Sequence, residues 1–353
     1  MIEDDLRAAF ARREELTPAV GPVRAAIDRA VVRRRRRRLR LRLAGTAMAV
    51  VAAALAGFTA IAPRPPETAN LLATPSPTPA GALNVLLLGV DGPADRPYRL
   101  ADSVLIVHVP ADRSRLYLVS LPRDLVVSIP GHGRDKLNAA FLVGAGEPRP
   151  DLARGYTLTR QVVSDTTGVR IDAGAVLTYR ATRELTDAVG GVSVCLPTTV
   201  RSHHTHRTYP AGCQRLDGAA AVDVLRQRFN MPDGALDRDR NAARYAAGLL
   251  HRIQEQEVLT NPLLLNRLIT KVDSGVVTDT GELSLPALIS ATGKAAAAEP
   301  VAVGLPVRHG EAEELPYGFR LDPALAPGFL DALRADRLGE WAAAHPKQVT
   351  GLR

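Results

Sequence analysis

Cysteine, lysine and the familiar catalytic signatures are all scarce in this chain. Only two cysteines occur in 353 residues, Cys195 and Cys213. Two cannot build a disulfide-dense scaffold or a four-cysteine zinc module, so they form one bridge or are two unrelated buried thiols. A bridge would close a loop of about 18 residues and contribute ~3 kcal/mol in the chain-entropy picture. Four lysines stand against 41 arginines. No GxSxG, HExxH, P-loop or GxGxxG segment is present, so those hydrolase, metalloprotease and nucleotide-binding classes lack their mark. Basic residues number 45 and acidic residues 37, but residues 33–42 alone hold eight arginines. Without that run the charges balance, and no basic stripe remains for a nucleic-acid backbone.

Directly after the arginines, residues 43–62 read LAGTAMAVVAAALAGFTAIA, twenty residues with no charge. At 1.5 Å per residue they match the ~30 Å of a bilayer's hydrocarbon core. Arginines flank only the N-terminal side, which places the N-terminus in the cytoplasm and the rest outside the cell. A cleaved signal is the competing reading, since TAIAPR at 59–64 has small residues suited to cleavage; the late start and the length of the run favour an anchor. The expected organisation is a basic cytoplasmic arm (1–42), a transmembrane helix (43–62), a proline-rich linker (63–81) and an extracytoplasmic domain (82–353). That domain has its core at 83–255 and a C-terminal part at 256–335.

The core alternates strands with helices. Residues 83–90, LNVLLLGV, form a continuous apolar run suited to a strand buried on both faces. Further strands are expected at 103–109, 115–121, 174–179 and 192–196. Helices are expected at 136–146, 151–166, 181–189, 216–225 and 238–255, and in the tail near 262–272, 284–297 and 323–334. This pattern predicts an α/β fold with helices around a mostly buried sheet.

Candidate chemistry clusters at strand ends. Asp91 follows the first strand and Asp102 opens the second. If those strands are antiparallel neighbours, both carboxylates reach one sheet edge, where such folds bind ligands; otherwise they are turn-forming aspartates. Two carboxylates completed by phosphate oxygens and water suit Mg²⁺. Arg123 and Asp124 follow the third strand and Pro122, where an arginine can face a phosphate or form a surface pair. In Arg226-Gln227-Arg228 an extended backbone turns both guanidiniums the same way, whereas a helix splays them. Arg238 opens a helix, whose N-terminus favours anions. His203, His204 and His206 share a loop without an acidic or cysteine ligand at metal-binding spacing.

The segments LLLGVD (86–91), ADSVLIVHV (101–109), SLPRDLVVSIPG (120–131), DKLNAAF (135–141), DAVGGVSVCLP (187–197), LDGAAAVDVLRQR (216–228) and LDRDR (236–240) together resemble the LytR-CpsA-Psr family. The resemblance implies an α/β/α sandwich with a central mixed sheet behind one transmembrane helix. It implies a phosphotransferase that moves a glycopolymer, such as a teichoic acid, from a polyprenyl-pyrophosphate carrier onto peptidoglycan, with pyrophosphate hydrolysis as a side activity. Asp91 and Asp102 would hold Mg²⁺. Arg123, Arg226, Arg228 and Arg238 would grip the pyrophosphate, Lys136 and Asn138 would shape the pocket, and Asp91, Asp102, Arg123 and Arg228 would carry the chemistry. Nucleic acid is not an expected partner. The chain departs from the family pattern at Leu100, Ala235 and Asn241-Ala242. Those changes motivate an alternative: a non-catalytic module that binds the lipid or wall polymer for regulation or scaffolding.

Overall fold

The computed structural model describes residues 80–352 except 92–99, 148, 259–260, 262–263, 265–271, 273–274 and 311–317. The arm, the apolar run and almost all of the linker expected before residue 82 lie outside the described residues. Among the described residues no helix is long and apolar enough to cross a membrane.

The apolar run at the domain start becomes β1 (Leu83–Val90), followed by β2 (Ala101–Val109) and β3 (Tyr117–Leu121). A hairpin of β4 (Val126–Ile129) and β5 (Gly133–Lys136) leads into α1 (Leu137–Ala145) and α2 (Leu152–Thr167). Then come β6 (Ala173–Thr178), α3 (Tyr179–Ala188), β7 (Val192–Leu196), β8 (Val200–Arg201), β9 (Thr208–Tyr209) and β10 (Gly212–Leu216). Helices α4 (Gly218–Arg226) and α5 (Ala235–Glu255) close the expected core. The tail supplies β11 (Val276–Asp279), α6 (Leu285–Ala296), β12 (Val301–Gly304), β13 (Val307–His309) and β14 (Phe319–Leu321). Helices α7 (Ala326–Arg334) and α8 (Leu338–Ala344) and the strand β15 (Val349–Thr350) complete it.

Seven strands form one mixed sheet in the order β11-β6-β1-β2-β3-β12-β15. β1 is antiparallel to β2 and parallel to β6; β3 is antiparallel to β2 and parallel to β12. Alternation within β1 sends Leu86, Leu88 and Val90 to one face, where they pack with Phe141 of α1, Tyr156 of α2 and Phe329 of α7. Leu83 and Val85 go to the other face, against Ala243 and Ala247 of α5 and Leu288 of α6. Both faces are therefore covered by helices, which is why β1 is apolar apart from Asn84, whose side chain hydrogen-bonds His108 and the Arg170 carbonyl. Helix α2 is set by local signals: Asp151 caps its first turn by accepting from the amides of Ala153 and Arg154, and Gly168 ends it in the left-handed region. Gly155 allows α1 and α2 to approach, since a Cβ there would lie 2.9 Å from the Phe141 ring.

Three expectations need correction. Segment 192–196 is a strand outside the central sheet: β7 pairs with β10, and the disulfide Cys195–Cys213 joins the two. Tyr179 does not end a strand but opens α3, because Thr178 caps the helix by accepting from the Ala181 amide. The tail contributes β11, β12 and β15 to the central sheet as well as helices. The helix expected near 262–272 falls largely outside the described residues.

Candidate active site

Strand direction decides where the polar residues gather. β1, β3, β6 and β12 run the same way, so their C-terminal ends and the start of β2 share one sheet edge. Asp91 follows β1, Asp102 lies at the start of β2, Arg123 follows β3 and Pro122, and Tyr179 follows β6. This is the edge at which open α/β sheets bind ligands.

Asp102 owes its position to a bulge. Gly89 pairs with Ser103 and Val90 with Ala101, so Asp102 is the extra, unpaired residue. A bulge of this kind re-aims a side chain beside a site. One Asp102 oxygen accepts from the Arg123 guanidinium, and the other accepts from the Tyr179 hydroxyl at 2.5 Å. Asp91 is pinned to Leu100 twice: its amide donates to the Leu100 carbonyl at 3.1 Å, and its Oδ1 accepts from the Leu100 amide at 3.0 Å. Burial raises the Asp91 pKa; the Leu100 hydrogen bond opposes the rise, the negative charge of Asp102 adds to it, and Arg123 and Arg226 hold it back. Burial, and then Asp102, keep the Tyr179 phenol well above its ordinary value, so it remains a hydrogen-bond donor.

Arg123 also reaches Asp124 at 3.4 Å, and the other Asp124 oxygen lies 3.4 Å from Lys136 Nζ. The Asn138 amide donates to the Arg123 carbonyl at 2.9 Å, so this buried residue fixes the loop from behind. On the opposite flank, α4 ends at Arg226, and Gln227 is extended with ψ 134°. The Gln227 side chain is fully buried: it donates to Ser202 Oγ at 3.0 Å and accepts from the His203 amide at 2.9 Å. Its neighbours Arg226 and Arg228 consequently both face solvent. Arg226 lies over the Tyr179 ring at 5.5 Å, and Arg228 over the exposed Phe229 ring at 4.9 Å. The His204 pKa is lowered, chiefly by burial and then by Arg226, with a smaller push from Arg228.

Arg238, in the first turns of α5, is only 3% exposed and donates to Asp239 Oδ1 at 3.1 Å. Burial opposes its charge, but Asp239, Asp102 and Tyr179 together hold its pKa above the ordinary value. Burial pushes the Asp239 carboxyl up to about 6 against the downward pull of Arg238. Asp239 Oδ2 and Arg238 Nε have no protein partner.

The structure thus gathers Asp91, Asp102, Arg123, Arg226 and Arg238 around Tyr179, with Lys136 and Asn138 behind Arg123 and Arg228 one step outward. Two participants escape a reading of the sequence. Tyr179 carries no motif; its signal is its place directly after a strand parallel to β1. Asp239 is adjacent to the expected Arg238 and serves as its counter-ion, while Asp124 forms with Arg123 the pair that the sequence offers. Of the three histidines, His203 packs on Phe229 at 5.0 Å, and among the described residues no three His, Cys, Asp or Glu side chains are grouped to hold a metal. Asp91 and Asp102 are the carboxylates that the ends of β1 and β2 bring to this edge.

Comparison with known proteins agrees with this architecture. The profile of the LytR_cpsA_psr family matches residues 61–310. Cell wall biosynthesis protein LcpA of Corynebacterium glutamicum is 33% identical over 196 residues, covering 51% of this chain and 38% of LcpA. The polyisoprenyl-teichoic acid–peptidoglycan teichoic acid transferase TagU of Oceanobacillus iheyensis is 31% identical over 162 residues, covering 45% of this chain and 47% of TagU. The matched part spans less than half the length of these relatives. Among solved structures, TagT bound to LI-WTA superposes with TM-score 0.56 at 21% identity, covering 73% of this chain and 91% of TagT. The LytR-Csp2A-Psr enzyme from Actinomyces oris gives TM-score 0.55 at 21% identity, covering 71% of this chain and 89% of that one. Identity at that level speaks for a shared fold. With the family profile spanning most of the sheet and its edge, the chain belongs to the LytR-CpsA-Psr family.

Proposed function

We propose that this chain is a phosphotransferase that moves a glycopolymer from a polyprenyl-pyrophosphate carrier onto peptidoglycan. The observation that carries the reading is the convergence of two carboxylates and an arginine cluster at one sheet edge. Phosphoryl transfer asks chiefly for positioning and for neutralised charge, and this edge supplies both. The names of TagU in Oceanobacillus iheyensis, a teichoic acid transferase, and of LcpA in Corynebacterium glutamicum support a wall-polymer substrate.

Each residue has a part in this reading. Arg226 and Arg228 face solvent with no carboxylate partner in contact among the described residues, so they are available to a pyrophosphate. Arg123 and Arg238 are held in place by Asp102, Asp124 and Asp239, and they set a positive wall behind the reacting phosphorus. Tyr179 ties Asp102 to Arg226, donating to one and stacking under the other. The residues fit Mg²⁺: the negative charge of Asp102 adds to the cost of ionising Asp91, and among the described residues no third acidic or histidine group joins them, which suits an ion that takes few protein ligands. Mg²⁺, when bound, would supply charge neutralisation for the pyrophosphate oxygens. The apolar run at 43–62 would anchor the chain, and the linker would hold the domain at the outer membrane surface, where a lipid-linked donor is presented.

The test is release of polyprenyl phosphate by the full-length chain in detergent, given a polyprenyl-pyrophosphate-linked glycan, peptidoglycan and Mg²⁺. Metal-dependent release that falls roughly 10- to 100-fold in Arg228→Ala supports the reading. Absence of release, or equal rates for wild type and variant, ends it.

A further inference from the structure

Helix α4 ends at Arg226, and Asp223, one turn before Gln227, holds that ending in place. In a continuing helix the Asp223 carbonyl would accept from the Gln227 amide. Here the Gln227 amide turns to the Val224 carbonyl at 3.2 Å, and the Gln227 side chain donates to the Asp223 carbonyl at 3.0 Å. The side chain has taken the place of the backbone donor, and the chain leaves the helix extended. That exit turns Arg226 and Arg228 out together, whereas a further helical turn would splay them.

The Asp223 side chain is buried and gathers the loop between β8 and β9. Its Oδ1 accepts from Ser202 Oγ at 2.7 Å; its Oδ2 accepts from Thr205 Oγ1 at 2.5 Å and from the Tyr209 hydroxyl at 2.8 Å. Gln227 Nε2 lies 3.3 Å from the same Oδ1. The loop answers with its backbone. The His203 amide takes Gln227 Oε1, and the His204 and Thr205 amides donate to Ser202 Oγ at 3.1 and 2.9 Å. Gln227 is thereby held at both ends of its side-chain amide. Burial opposes the Asp223 charge, but the Thr205, Ser202 and Tyr209 hydroxyls outweigh it and keep the pKa below its ordinary value. The hub is therefore ionised at neutral pH.

Resting on the transferase reading, we propose that Asp223 is a positioning residue for the donor's pyrophosphate: through Gln227 it fixes the extended backbone that presents Arg226 and Arg228 as one grip. Both Asp223 oxygens are taken up by protein donors, so it acts on the phosphates only through the two arginines. Two exposed arginines on a loose chain end would have to be ordered by the ligand itself, and that ordering weakens binding. A backbone fixed beforehand removes that part of the cost, while the guanidiniums stay free to close on the anion.

The test is a double-mutant cycle on the full-length chain in detergent, with inorganic pyrophosphate and Mg²⁺ as the probe and calorimetry as the readout. Asp223→Ala should weaken binding about tenfold in the wild-type background, and less than about threefold where Arg228→Ala is already present. A general loosening of the domain would act equally in both backgrounds. Should Asp223→Ala fail to unfold cooperatively, Ser202→Ala carries the same cycle, since it removes the hydroxyl shared by Asp223 and Gln227. Its expected loss is about fivefold, again much smaller beside Arg228→Ala. The assignment is overturned if the variant binds pyrophosphate as wild type does, or if it loses the same factor in both backgrounds. Failure of the transferase reading looks different: pyrophosphate binding follows the expected cycle, while no polyprenyl phosphate is released from the glycan-linked donor.

Discussion

The four arginines at this edge fall into two pairs that differ in what holds them. Arg238 is buried and Arg123 half-buried beside carboxylates, with side-chain exposures of 4% and 14%. Arg226 and Arg228 are exposed and rest on the aromatic rings of Tyr179 and Phe229. The difference is one of division of labour. A buried guanidinium has lost its water and needs its counter-ion, so the first pair is structural before it is functional. An exposed guanidinium keeps its hydration until an anion displaces it, so the second pair is poised for a ligand at little cost to the fold.

Substitutions should separate the pairs sharply. Arg238→Ala strands the Asp239 carboxylate in the interior and is expected to destabilise the domain by about 3–5 kcal/mol in chemical denaturation. Replacing both residues by apolar ones of similar size should cost less than the single change. Cys195→Ser opens the bridge in the hairpin that leads to the Gln227 support and should cost ~3 kcal/mol, visible as a lower denaturation midpoint. Arg228→Ala should change stability by no more than about 0.5 kcal/mol, yet lower kcat/KM roughly 10- to 100-fold through loss of a charge-assisted contact. A stability loss for Arg228→Ala as large as that for Arg238→Ala would erase the distinction.

The smallest effect concerns pH. The folded Asp239 pKa, about 6, is raised above its ordinary 3.8. Between these values the folded state binds more protons than the unfolded state, so this group's contribution to stability falls as pH rises from about 4 to 6. Asp239→Asn should remove that component, leaving a flatter decline over the same window when unfolding free energy is followed against pH.

Much of this edge is legible in the sequence because strand ends write themselves plainly. LNVLLLGV followed by Asp91, and Asp102 opening the next apolar run, give the two carboxylates and their strands. Antiparallel pairing of β1 with β2 then puts them side by side. Less local features are silent. The bulge at Asp102 is a register between two strands, which neither strand's sequence states. β12 is four residues long and pairs in parallel with β3, Val301 opposite Tyr117, across more than half of the domain. No short window signals such a partner. Tyr179 looks like the end of a strand because β6 is apolar up to Thr178, and the helix cap at Thr178 is what turns it into the edge. Asp239 carries its meaning only through burial beside Arg238 and the lack of a partner for Oδ2.

The central claim, transfer rather than binding or hydrolysis, is tested most directly by following the phosphorus. A donor labelled with radioactive phosphorus at the sugar-linked position is incubated with the full-length chain, peptidoglycan and Mg²⁺. The expected result is that the label moves with the glycan into peptidoglycan, that unlabelled polyprenyl phosphate is released in equal amount, and that Asp102→Ala abolishes both. Label recovered in a soluble glycan phosphate, or remaining wholly on intact lipid carrier that the protein binds, would contradict it.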